Sequence, residues 1–239
     1  MREQNWSSAV LEVLVVVVGI FLGLQVDAWN QARKDRVAEA AYLERLHADT
    51  TFNLAQVKVK AQSYHDRASS LARIVEKLKA EEVNEIEIYD LTDAFCYWYV
   101  PEAVRLQSST YDEMTSTGDL ELIRDSSILQ NLQLALAEND RSKEENPKLA
   151  AVQMDLAKSF RKFTEWRFDA PIQRIDTDTG DVPMRAGCVV DRAALAADPD
   201  ISSILVQLNR SQTILGNQLL GEQRALDELL FVLEPKVTR

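Results

Sequence analysis

Two histidines, two cysteines, seven glycines and six prolines are all that 239 residues contain, and each shortage removes a kind of chemistry. His47 and His65 lie about five helical turns apart, too far to share a metal ion. Glu44-x-x-His47 has the spacing of di-iron bundle ligands, but such sites need two of these pairs, and His65 has no Glu three residues before it. Neither histidine neighbours a serine or cysteine nucleophile motif, so a hydrolytic triad has no support. The glycines are too dispersed for a phosphate-cradling or dinucleotide-binding loop. Asp176, Asp178 and Asp181 lack the closing Glu of an EF-hand and read as a solvated acidic loop. No catalytic residue, metal or cofactor is expected. Cations are short as well: 27 Lys and Arg stand against 38 Asp and Glu, a net charge of −11. With no basic patch interleaved with aromatics, nucleic-acid binding is not expected. The scarcity of glycine and proline suits a helical chain.

What the chain does have is one long apolar run. From Ala9 to Leu24, Glu12 is the only charged residue. Trp6 and Trp29 are 23 positions apart, about 34 Å on a helix, which matches two interfacial anchors across a bilayer. Residues 1–6 read as a short tail, 7–29 as a transmembrane helix and 30–239 as a helical bundle domain. A weakly basic start and the acidic Glu12 argue against a cleaved signal peptide. At 100° per residue, Ser8, Glu12, Val16, Gly19, Gly23, Asp27 and Asn30 share an arc of about 100°. Gly19 and Gly23 form a GxxxG pair, which lets two helix backbones approach closely. A carboxylate inside a bilayer has to face protein, water or a cation, or be protonated. Glu12 either serves such a contact or snorkels to the near interface.

No Gly or Pro occurs between Leu24 and Val100, so the spacing predicts helix from the apolar run to near Lys79. Within it Leu43, Thr50, Val57, Tyr64, Leu71 and Leu78 repeat every seven, with His47, Leu54, Ala61, Ala68 and Val75 between them. This is a bundle seam too weak for a free-standing zipper. The aromatics Phe95, Tyr97, Trp98 and Tyr99 suit core packing or a partner-facing patch. A short helix is expected to close at Gly118, and Asp125 or Ser126 to cap the next. Asn146-Pro147 looks like a cap followed by a first-turn proline, opening a new helix or continuing a kinked one. Residues 170–190 are the one long irregular stretch, with room for a small hairpin. Asp198-Pro199 caps a last helix to about Leu233. Its leucine seam is interrupted by Gln212 and Glu222, which either fix register or lie at an edge. The fold class is all-α: an N-terminal transmembrane helix running into a bundle of about four long helices.

The segment LEVLVVVVGIFLGLQVDAWNQARKDR resembles the N-terminal signature of an uncharacterised family of bacterial single-pass membrane proteins. In that family a Glu-containing, valine-rich helix with a central Gly runs into an L-Q-x-D-x-W-N box. Glu12, Gly19, Leu24, Gln25, Asp27, Trp29 and Asn30 stand at the signature positions. STYDEMTSTGDLELIRDSSI, residues 109–128, matches a second family pattern more weakly. Together they cover about a fifth of the chain. The resemblance implies an inner-membrane location and lends no activity. Orientation draws on opposed signals. Arg33, Lys34 and Arg36 after the span favour a cytoplasmic domain. Cys96 and Cys188 would suit a disulfide in an oxidising periplasm. Many relatives open with a basic segment that places the domain in the periplasm, and this chain lacks it. The periplasmic reading is preferred. The expected function is a non-enzymatic interaction protein in the lipid bilayer. It would associate with itself, or with another membrane protein as an accessory subunit, through the transmembrane face. A sensor-like ligand-binding module is the alternative, and an oligomeric transport component using Glu12 a further one.

Overall fold

The computed structural model describes residues 6–97, 104–166 and 187–237. Helix α1, Trp6–Lys79, is unbroken over 74 residues, about 110 Å at 1.5 Å per residue. It contains neither proline nor any glycine after Gly23, so nothing along it frees a backbone carbonyl or relaxes φ. It ends where Glu81 takes a left-handed φ of 60° and the Glu82 N–H closes back onto the Lys77 carbonyl. Helix α2, Ile88–Thr92, runs into a π turn, Asp93–Tyr97. Helix α3, Ser109–Thr117, stops as expected at Gly118, whose φ is 82°. Helix α4, Ser126–Ala157, is capped by the Asp125 carboxylate, which accepts from the Ser127 N–H. Strand β1, Thr164–Trp166, pairs antiparallel with β2, Cys188–Val190, Thr164 facing Val190. These strands flank residues 167–186, so most of the irregular stretch, and the Asp176, Asp178 and Asp181 loop, lies outside the described residues. Helix α5, Arg192–Ala197, is capped by Asp191. Helix α6, Ile201–Val237, is the last.

The all-α class holds. Three helices are long where the sequence suggests about four, because α4 runs straight through Pro147. A mid-helix proline costs about 3 kcal/mol. Here Asn139 and Ser142 on one side of it, and Gln153 on the other, are all buried, so packing on α6 holds both halves in line. Asn146 is therefore an interior helical residue rather than a cap.

The first third of α1 is long and apolar enough to cross a membrane, and none of it is buried. Packing begins at Tyr42. One apolar core joins α1 from Tyr42 to Tyr64 with Met114, Ile123, Ile128, Leu132 and α6 from Leu215 to Leu233. A second joins Leu71, Ile74, Val75, Phe95, Phe160, Phe163 and Leu195 with α6 from Ile201 to Leu208. The expected seven-residue seam is the buried face. Leu43, Thr50, Leu54, Val57, Ala61, Tyr64, Ala68, Leu71 and Val75 are buried, while His47 and Leu78 are half-buried. Ile74, fully buried, and Leu46 widen that face beyond the seam.

Ion pairs fasten the short elements. Asp90, with a side chain 4% exposed, accepts two hydrogen bonds from Arg73, at 2.8 and 2.6 Å, docking α2 on α1. Its carboxylate holds the Arg73 guanidinium above the usual arginine range. Arg192 donates to the Val83 and Ile86 carbonyls, tying α5 to the turn after α1. Arg73→Ala leaves Asp90 buried without its cation, and a loss of about 2–3 kcal/mol is expected. Chemical denaturation measures it, and the Arg73→Ala/Asp90→Ala double variant should lose less than the two single losses combined.

Candidate functional site

The face singled out in the apolar segment stands open. Val16 is 59% and Trp29 63% exposed, and Glu12, Asp27 and Asn30 are exposed with them. A Cβ built on Gly19 or Gly23 would meet nothing within 4 Å. The close approach that these glycines permit is therefore not used within this chain. Trp6 and Ser8 belong to the same helix, but their side chains lie outside the described residues. All seven positions fall on one unbroken α-helix, so they share one side of it by geometry alone.

The aromatic segment divides. Phe95 is 3% exposed, with its ring 4.5 Å from Phe160 and 6.1 Å, edge-on, from Phe163. That corrects the patch reading for Phe95: it is a core ring and cannot face a partner. The Tyr97 side chain and the whole of Trp98 and Tyr99 lie outside the described residues. Cys96, next to Phe95 and fully buried, forms a disulfide with Cys188 across a Cα separation of 6.2 Å. The bond ties the π turn to β2 and closes a sequence separation of 92 residues.

The two polar interruptions of the α6 seam are both inside. Gln212 is 2% and Glu222 0% exposed, so neither lies at an edge. Glu222 belongs to a polar seam between α4 and α6 whose α4 half has no counterpart in the sequence reading. Asn139 donates to Glu222 Oε1 at 2.7 Å. Gln218 bonds Glu145. Gln153 donates to the Ser211 hydroxyl at 2.9 Å, which donates on to the Leu208 carbonyl. Side-chain oxygens of Asn139, Asn146, Gln212, Gln218 and Glu222 are buried with no donor among the described residues. The signal that could have found the α4 half is spacing. Asn139 and Ser142 continue the buried line of Ile128, Leu132 and Ala135 at intervals of three and four.

Other candidates form no site. His65 packs against Gly216, where an added Cβ would lie 3.2 Å from the imidazole Cε1. An alanine there would crowd the imidazole by a few tenths of an ångström. Among the described residues no three His, Cys, Asp or Glu side chains gather as metal ligands would. A cavity of about 30 Å³ between Thr50, Asn53, Tyr111 and Leu132 has room for one or two waters. Asn53 spends its amide on both backbone groups of Gln107, so the lining is already satisfied. Compared with family models, with curated proteins and with solved structures, the chain matches none.

Glu222 yields a pH prediction. Burial pushes its carboxyl above the ordinary glutamate range; Asn139, Ser142 and Lys143 oppose the shift and Glu138 adds to it. The folded state thus holds the proton more tightly than the unfolded chain. The associated stability is fully present below the unfolded value and is lost as pH rises through the raised folded value. Glu222→Gln, neutral at every pH, should melt close to the native protein near pH 4 and above it at pH 8. Each kcal/mol recovered reads as roughly 2–4 °C. Melting curves at the two pH values check it; a constant difference between the proteins would remove the buried-acid argument.

Proposed function

We propose that this chain is a non-enzymatic, membrane-anchored helical interaction protein. Residues 7–29 cross a bacterial inner membrane, and the bundle stands on the periplasmic side. The membrane helix associates through the face of Ser8, Glu12, Val16, Gly19, Gly23, Asp27 and Asn30, as a homo-oligomer or as an accessory subunit. The observation that carries the reading is the open approach at Gly19 and Gly23, on the side of the helix that also bears Glu12. Apolar helices in lipid gain little from burial against each other. Close backbone packing and polar contacts drive their association instead, and this face offers both. The carboxylate of Glu12 is costly in hydrocarbon unless another chain meets it or it is protonated.

Two further observations support the placement. The Cys96–Cys188 disulfide suits an oxidising compartment and not a reducing cytoplasm. The L-Q-x-D-x-W-N resemblance of residues 24–30 agrees with a bacterial single-pass protein.

Gly19→Leu and Gly23→Leu, made singly in the full chain, should weaken association in detergent about tenfold or more, ~1.4 kcal/mol of helix contact. Native mass measurement reads the loss; unchanged association in both variants would dismiss the face. Alkaline phosphatase fused after Arg239 should be active in cells, and an inactive fusion would reverse the orientation.

A further inference from the structure

Three cations follow the apolar segment directly, and no carboxylate pairs with any of them among the described residues. Further along, the chain pairs its cations: Arg45, Lys58, Arg73 and Arg124 each meet a carboxylate. Arg33, Lys34 and Arg36 are exposed, and the nearest acids are engaged elsewhere. Asp35 accepts from Gln31 at 2.8 Å, and Glu39 accepts from the Arg124 backbone N–H at 3.0 Å. On an ideal helix Val15, Val18, Leu22, Trp29, Arg33 and Arg36 fall in one arc of about 60°. The three aliphatic residues and Trp29 are exposed. This arc is centred about 90° around the helix from that of Glu12, Gly19 and Gly23, so both faces can be occupied at once. Lys34 lies outside it.

Every Cα–Cβ bond of an α-helix tilts toward the helix N-terminus, which in α1 is the direction of the apolar segment. Arg36 shows the lean: its Nε donates to the Ala32 carbonyl, one turn back, at 3.2 Å. That bond uses Nε and leaves both Nη groups for another acceptor. The Arg33 and Arg36 Cα atoms stand about 6 and 10 Å past Trp29. Side chains that reach back from there enter the headgroup layer of a bilayer, roughly 5–7 Å deep on each side. We infer that Trp29, Arg33 and Arg36 hold the headgroup of an anionic phospholipid whose acyl chain lies along Leu22, Val18 and Val15. The inference rests on the membrane-spanning reading of residues 7–29 and is independent of the proposed association. Two guanidinium forks suit a phosphodiester, whose oxygens accept paired N–H bonds. The indole of Trp29 suits the same layer, its ring toward the acyl chains and its N–H toward the headgroup. A zwitterionic headgroup would bring its own ammonium to an arc that holds two cations and no acid, so the face selects the anionic lipid.

The full chain in detergent with equal amounts of phosphatidylglycerol and phosphatidylcholine tests this, native mass measurement counting the lipids retained. Phosphatidylglycerol should be retained at least fivefold over phosphatidylcholine, since each cation near an anionic headgroup contributes roughly fivefold. Arg33→Gln/Arg36→Gln should bring the two lipids to parity. Arg224→Gln, at an exposed cation on α6, should leave the preference intact. Parity in the native protein, a preference that survives the double variant, or an equal loss in Arg224→Gln each overturn the site. A tenfold excess of inorganic phosphate should not displace the lipid; displacement would make this a site for free phosphate and overturn the lipid assignment. Flotation with vesicles of phosphatidylcholine alone separates this inference from the reading beneath it. A chain that floats yet retains both lipids equally loses only the lipid site. A chain that does not float loses the membrane helix and the lipid site together.

Discussion

The architecture hangs on α1 being one uninterrupted rod. Because no proline or glycine breaks it after Gly23, the orientation of the apolar segment is carried without a hinge into the bundle. Helix α6 runs antiparallel along it, with Asn209 bonded to the Ala68 carbonyl at one level and Asp227 paired with Lys58 further down. Everything else packs on these two. A rod packed on one side only has a back, and from Ala41 to Val59 that back is exposed.

Fastening is unequal along the bundle. At the end nearest the apolar segment, Tyr42 donates to Asp119 at 2.6 Å and Arg45 grips Glu113 with two bonds. There Lys236 also pairs with the capping carboxylate of Asp125 at 2.9 Å. Together with the Ser127 hydroxyl, that ammonium holds Asp125 down to about 2. At the far end a disulfide and the rings of Phe160 and Phe163 against Phe95 close the structure. Between them α4 meets α6 through amides, a serine and a buried acid. A polar seam with unmatched acceptors is a weak contact beside an apolar one of the same area. After its interior proline, α4 buries only Gln153. Polar pairs of this kind specify register: Asn139 meets Glu222, and a one-turn slip would break that bond.

Much of this was legible residue by residue. The extent of α1 followed from missing helix breakers. Gly118 and Asp125 behave as their residue types demand at helix ends, and the seam from Leu43 to Val75 is the buried face. Pro147 was ambiguous because local propensity favours a helix start there, while tertiary packing on both sides overrides it. The place of Phe95 was equally open, since an aromatic beside a proline-bounded turn suits core and surface alike. Phe160 and Phe163, far away in sequence, decide it. Gln212 and Glu222 were visible as interruptions, but Glu222 meets Asn139 only when α4 and α6 are set side by side.

The sequence by itself determined the helical class, the apolar segment and its glycine–carboxylate face. These depend on periodicity and composition, which are local. Only the tertiary structure decided that Cys96 meets Cys188 and that a buried acid sits between α4 and α6. Each of those depends on contacts between residues distant in the chain, and no local pattern encodes the packing angle that brings them together. The disulfide shows the division: Cys96 and Cys188 are 92 positions apart, and only the packing of the π turn on β2 brings them together.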